Sequence, residues 1–105
     1  MKHLKAYSDF IKFLCSKTTS AKQRKALLST SSTEQMNIIC EIFANALAGA
    51  LSLTKSEIPK LQQHAQIMRR LAKRDIKDSH RHALLVRHSH VVAEILAVLL
   101  KYLAL

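Results

Sequence analysis

Glycine, proline and tryptophan are nearly absent from this chain of 105 residues, which has one Gly, one Pro and no Trp. Hairpins and tight turns depend on Gly and Pro, so their scarcity argues against a protein built from short strands. Good helix formers such as Leu, Ala, Lys, Arg and Gln are abundant. We therefore expect an all-α protein.

Acidic residues are also scarce, with 7 Asp and Glu against 17 Lys and Arg, and the net charge is +10 with His neutral. A charge of this size opposes compaction through self-repulsion, and an acidic partner would relieve it. The hydrophobic share of 49% is nevertheless sufficient for a buried core at this length. We expect one folded domain over residues 1–105 rather than a basic tail.

No apolar run in the sequence is long enough to span a bilayer. The most apolar segment, residues 91–105, is interrupted by Glu94 and Lys101 and falls short of the roughly 20 residues required. The N-terminal segment has lysines but lacks the apolar core of a secretory signal. Cys15 and Cys40 lie in apolar periodic runs, which favours a buried reduced pair and leaves a disulfide between them open. We expect an intracellular protein that is not secreted, with the nucleus or a virion as possible locations. Membrane binding is a less favoured alternative.

Apolar residues recur at three- and four-residue steps in six segments, which predict helices at about 3–16, 20–28, 33–51, 56–73, 78–87 and 90–104. The expected buried faces include Leu47 and Ile58. Capping-box spacing marks several helix starts; the pairs are Ser20 with Gln23, Thr54 with Glu57, and either Ser31 with Glu34 or Ser32 with Gln35. The helices at 33–51 and 90–104 are so apolar that they are either central or the seam of a homodimer.

The chain contains an internal repeat, in which RKALLSTSS at 24–32 returns as RHALLVRHS at 81–89 with a constant offset of 57. We interpret this as two duplicated three-helix units, about 3–53 and 56–105, although leucine-rich helices can also resemble each other by chance. A single half cannot easily bury an apolar helix. We therefore expect a compact six-helix domain in which the two long helices pack against each other around a pseudo-twofold axis.

Basic residues concentrate near the short helix of each unit. This pattern favours nucleic acid, DNA more than RNA, bound through its phosphate backbone without strong sequence specificity. The candidate contacts are Lys22, Arg24 and Lys25 in the first unit and Arg69, Arg70, Lys73, Arg74, Lys77, Arg81 and Arg87 in the second. Alternatives are a solvated basic face, a helical adaptor of death-fold-like size, and a homodimeric scaffold.

Signals for catalysis, metals or cofactors are missing. There are no paired catalytic carboxylates, no Gly-rich phosphate loop and no nucleophile elbow, so we expect no enzyme and no cofactor. His80 with His82, and His88 with His90, stand two residues apart and point about 200° from each other on a helix, so neither pair can chelate a metal from one helix face. We expect exposed histidines that strengthen polyanion binding on acidification.

The stretch from about residue 22 to 90 resembles short basic proteins of Maverick or Polinton elements and of adintovirus-like DNA viruses of animals. The resemblance rests on RKALL at 24–28, on Glu41 and Asn45 of an apolar helix, and on Leu61, His64 and LAK at 71–73. It implies a virion core or late protein that packages DNA.

Overall fold

Seven α-helices and two short 3-10 segments make up the described part of the chain, residues 4–73 and 75–103 of a computed structural model. The helices are α1 (Ser8–Cys15), α2 (Ala21–Ser29), α3 (Thr33–Leu47), α4 (Glu57–Gln62), α5 (Ala65–Ala72), α6 (Asp78–Arg87) and α7 (Ser89–Leu99). The 3-10 segments are Leu4–Tyr7 and Leu100–Tyr102. The all-α expectation is confirmed, since no strand occurs within these residues.

Two of the predicted capping boxes form completely and set the starts of α2 and α3. The backbone N–H of Gln23 donates to Ser20 Oγ at 3.1 Å, and the N–H of Ser20 donates to Gln23 Oε1 at 2.8 Å. At α3, Ser32 pairs with Gln35 at 3.1 and 2.9 Å, which decides between the two alternatives. Each box satisfies two backbone donors that a helix start otherwise leaves unpaired.

The helix predicted over 56–73 is instead two helices, α4 and α5, with a break at residues 63–64. His64 leaves helical geometry, with φ −109° and ψ 10°. The break lets the two pieces serve different neighbours: α4 packs against α7, whereas α5 packs against α3. Leu61 on α4 and Met68 on α5 are both buried by these contacts.

The two long helices, α3 and α7, do not pair as the sequence led us to expect. The main packed pairs are α3 with α5, α2 with α6, and α7 with both α1 and α2. Contact between the long helices α3 and α7 is minor by comparison, so the expectation that they pack chiefly against each other is wrong. Instead, the apolar face of α5 covers α3 and the apolar face of α1 covers α7. Ile11, Leu14 and Leu71 on these two faces are fully buried.

The long helix α7 is covered within the single chain. Its Val92, Ile95, Leu96 and Leu99 have no exposed surface. The apolar circumference that suggested a homodimer seam is therefore largely satisfied by α1, α2, α4 and α6.

The end of α3 comes earlier than residue 51 because Gly49 stops it. Gly49 has φ +77°, and the N–H groups of Gly49 and Ala50 donate to the carbonyls of Ala46 and Asn45 at 3.2 and 3.0 Å. This is a Schellman ending, for which glycine is the favoured residue. The early stop leaves Leu47 38% exposed, contrary to the predicted buried face.

Candidate nucleic-acid interface

Nine of the ten predicted phosphate contacts fall within the described residues, and they lie on α2, α5 and α6 and on the connection between α5 and α6. Seven of them have exposed side chains: Lys22, Lys25, Arg69, Arg70, Lys73, Lys77 and Arg87. None of these seven is in an ion pair within residues 4–73 and 75–103. Arg74 lies outside the described residues. The charge of the seven is therefore available to an anionic partner.

Arg81 was a predicted phosphate contact, but the residue is buried, with only 8% of its surface exposed. Its guanidinium donates to the Lys73 carbonyl and, at 3.4 Å, to Asn37 Oδ1. The carboxylate of Asp78 lies 3.7 Å from the same group. These contacts join α6 to α3 and to the end of α5. We therefore assign Arg81 a structural role and remove it from the candidate phosphate contacts.

Arg24 has a similar, partly internal position. It is half-buried, and its Nη1 donates to the Thr19 carbonyl at 3.1 Å. The Nε atoms of Arg24 and Arg81, which stand 57 residues apart, are both buried without a hydrogen-bond partner among the described residues. Both arginines thus tie a short helix to the chain just before it, a role that the charge pattern alone did not reveal.

Three basic residues from two helices converge at the C-terminal end of α6. Burial of the imidazole lowers the pKa of His88 below its ordinary value, and the charges of Arg87 and Arg70 lower it further. Arg70 comes from α5 and Arg87 from the last turn of α6, and the two helices pack together. We call Arg70, Arg87 and His88 the arginine cluster. Both guanidinium groups are exposed, and guanidinium is well suited to binding phosphate oxygens.

Most of the other described histidines are engaged within the protein. His82 Nε2 lies 2.6 Å from the Leu28 carbonyl, which links α6 to the last turn of α2. Glu94 stands between two imidazoles, with its carboxylate oxygens 3.1 Å from His64 Nε2 and 3.1 Å from His90 Nε2. Across residues 4–73 and 75–103 no group of three or more His, Cys, Asp or Glu side chains is arranged to hold a metal ion. His80 and His90 are exposed, as expected, whereas His64, His82 and His88 are partly buried.

A buried carboxylate lies away from the arginine cluster, at the start of α4. Glu57 is 8% exposed, accepts from the Thr54 backbone N–H at 2.8 Å, and accepts from the Tyr102 hydroxyl. Its other oxygen pairs with Lys101 Nζ at 2.7 Å. The bonds from Lys101, Tyr102 and Thr54 lower the pKa of Glu57 to about 2. Glu57 therefore fastens the C-terminal 3-10 segment to α4 and forms half of the predicted capping box.

The two cysteines are free thiols. Cys40 is buried and Cys15 is partly buried, and burial raises the pKa of both, to about 11 for Cys40. The disulfide that the sequence left open is not formed, and both thiols are protonated near neutral pH.

Three grooves with partly apolar linings lie on the protein surface. A groove of about 640 Å³ lies between α1, α4 and the end of α7, and a neighbouring groove of about 360 Å³ continues it along α7. A third, of about 260 Å³, is lined by Leu47, Ile58 and Arg69 among others. Ile58 was expected in the core but is 41% exposed, because the short helix α4 turns it toward this groove.

Within residues 4–73 and 75–103, no single helix is long and apolar enough to cross a membrane. Only α6 taken together with Ser89–Tyr102 has sufficient length and apolar content, and this pair is bent by 85°.

No protein-family model, no curated protein and no solved structure matches this chain.

Proposed function

We propose that this chain binds the phosphate backbone of nucleic acid, DNA in preference to RNA, without strong sequence specificity. The observation that carries the proposal is the set of seven exposed cations that have no ion-pair partner among the described residues. Phosphate recognition requires positive charge and donors, and both are present at the arginine cluster.

The size of the electrostatic contribution follows from the number of cations engaged. Each phosphate neutralised on duplex DNA contributes about −0.9 to the slope of log affinity against log salt. Engagement of all seven exposed cations would give a slope of about −6, and engagement of three would give about −3. A measured slope in this range would report how much of the basic surface contacts DNA.

We also propose that the fold consists of two duplicated three-helix units, each of which contributes basic residues to the surface. Backbone geometry supports the duplication. α5 begins and ends 57 residues after α1, and α6 begins 57 residues after α2. Tyr7 and His64, which precede α1 and α5, have φ and ψ of −113° and 15°, and of −109° and 10°. Ser16 and Lys73, which follow the same helices, are both extended, at −67° and 140° and at −64° and 131°.

Packing supports the duplication in the same way. α3 packs on α5, and the matching pair, α7 on α1, is also formed, so each long helix lies against the helix of the other unit that corresponds to α1 or α5. α2 packs on its own counterpart, α6, as expected for elements near a twofold axis. The units differ at the next junction, where extended Ser32 separates α2 from α3 but α6 turns directly into α7.

Packaging of DNA in a virion or another intracellular particle is the biological role that we favour. The resemblance to Maverick, Polinton and adintovirus-like proteins supports this role, and so does the charge of +10 on a small helical domain. Packaging requires backbone binding and no readout of base edges.

The direct test is fluorescence anisotropy of a labelled random 20-base-pair DNA duplex, titrated with protein from about 50 to 200 mM salt. We expect micromolar or tighter binding at low salt, a steep negative slope, and the same affinity for unrelated sequences. A duplex RNA of the same length should bind more weakly. Absence of binding at about 50 mM salt would overturn the proposal.

Charge reversal locates the interface. The variant Arg70→Glu with Arg87→Glu should weaken binding to every sequence and reduce the magnitude of the salt slope by about 2. The control variant Lys5→Glu with Lys55→Glu makes the same change in net charge at exposed positions outside the candidate set. Equal losses in both variants would show a general charge effect and would remove the arginine cluster from the interface.

His88 supplies a local readout of the same contact. A phosphate bound between Arg70 and Arg87 compensates the two charges that lower the pKa of His88, so binding should raise that pKa. An NMR titration of the His88 ring with and without duplex measures the shift. An unchanged pKa in the complex would place the DNA elsewhere.

A further inference from the structure

The two adjoining grooves beside α7 form a single elongated depression on the protein surface. Both are lined by Ala97 and Val98 of α7 and by Lys60 of α4. Leu100 extends the apolar floor at the end nearest Lys101. We call this depression the α7 groove. From Glu94 to Lys101 it follows about 10 Å of helix, or two turns.

The free charge along the α7 groove is positive. Lys12 of α1 and Lys60 of α4 are exposed at its edges, and neither is in an ion pair among the described residues. Two carboxylates also line it: Glu57 is paired with Lys101, whereas Glu94 contacts two histidines and keeps its negative charge when these are neutral. An occupant that brings carboxylates would find two unpaired lysines, which outnumber the one carboxylate without a permanently charged partner.

We propose that the α7 groove binds an acidic amphipathic helix of a partner protein. The apolar face of the helix lies on Ala97, Val98 and Leu100, and carboxylates along its flanks meet Lys12 and Lys60. Ala97 is exposed and small, so a second helix can approach α7 closely at that point. Two turns of contact match a helix that presents apolar residues at positions i, i+4 and i+7.

Charge argues against a second copy of this chain as the occupant. Each copy carries +10, so two copies repel one another, whereas an acidic partner gains from the same charge. The α7 groove shares no residue with the arginine cluster. The inference therefore stands independently of nucleic-acid binding.

The probe is a synthetic amphipathic 18-residue peptide with Leu at i, i+4 and i+7 and Glu on both flanks of that face. A scrambled peptide of the same composition serves as its control. Fluorescence anisotropy at about 150 mM salt should show saturable micromolar binding of the amphipathic peptide and at least tenfold weaker binding of the scrambled one. Equal binding of both peptides, or no saturable binding, would overturn the inference.

Two variants test the two halves of the recognition. Lys12→Glu with Lys60→Glu should weaken peptide binding at least tenfold, while Lys22→Glu with Lys25→Glu, matched in net charge, should have little effect. Ala97→Arg adds positive charge but places a long side chain on the floor of the α7 groove. Weaker peptide binding by that variant would show that the shape of the groove matters in addition to its charge. Ala97 is exposed, and circular dichroism should show that the variant remains folded. Tighter binding to Ala97→Arg, or equal losses in the two lysine variants, would show charge attraction without a groove.

Discussion

The buried side chain of Arg81 should contribute more to the stability of this protein than any exposed arginine on the same helix. The change Arg81→Met keeps an unbranched side chain of similar length but removes every donor. It leaves the Lys73 carbonyl and Asn37 Oδ1 without their partner and unfastens α6 from α3 and from the end of α5.

The magnitude follows from those contacts. Hydrogen bonds from a charged donor contribute about 1.5–3 kcal/mol each, and the desolvation of the guanidinium offsets part of that gain. We expect the free energy of unfolding to fall by about 2–4 kcal/mol, which corresponds to a Tm lower by about 8–16 °C for a chain of this length. Urea unfolding followed by circular dichroism measures the loss, and an unchanged m-value would show that the unfolded state is the same.

The matched control is Arg87→Met, the same substitution at an exposed position on α6. Surface changes of this kind usually stay within about 0.5 kcal/mol. A loss below about 1 kcal/mol for Arg81→Met, or equal losses for the two variants, would refute the structural role of Arg81.

Three further changes test other parts of the fold. The folded-state pKa of Glu57 lies at about 2, below its unfolded value, so its contribution to stability is present above about pH 4.5 and is lost as the pH falls toward 2. Glu57→Gln should therefore reduce the loss of unfolding free energy between pH 4.5 and 2, measured by urea titration. Parallel stability curves for the two proteins would contradict the contacts of Glu57 with Lys101, Tyr102 and Thr54. Gly49→Ala should cost about 1 kcal/mol from the positive φ alone, since nothing lies within 4 Å of the added Cβ, and a neutral thermal shift would argue against the Schellman ending. Ser32→Ala should cost about 1 kcal/mol through loss of the capping box, whereas Thr33→Ala, one residue later, should change the urea midpoint much less.

Local chemistry accounts for the parts of the fold that could be anticipated. The boxes of Ser20 with Gln23 and Ser32 with Gln35 depend on side chains three residues apart, and they formed where the spacing indicated. The helix predicted over 78–87 has those bounds in the structure, although no side chain caps its start.

The candidate site was predictable only in part. The charge pattern identified cations that are exposed, but it could not separate Arg81 from Arg87, since both are arginines on one basic helix. Burial depends on which residues of α3 and α5 arrive beside the side chain. The arginine cluster was hidden for the same reason, because Arg70 and His88 are eighteen residues apart and meet only when α5 packs on α6.

The sequence by itself determined the helical class, the starts of α2 and α3, and the excess of positive charge, because these follow from composition and from contacts within a few residues. Tertiary structure decided the break at residues 63–64, the pairing of α3 with α5 and of α7 with α1, and the burial of Arg81. Those outcomes depend on which apolar faces cover one another across the whole chain. A face's periodicity shows that it must be buried, and only packing selects the partner that buries it.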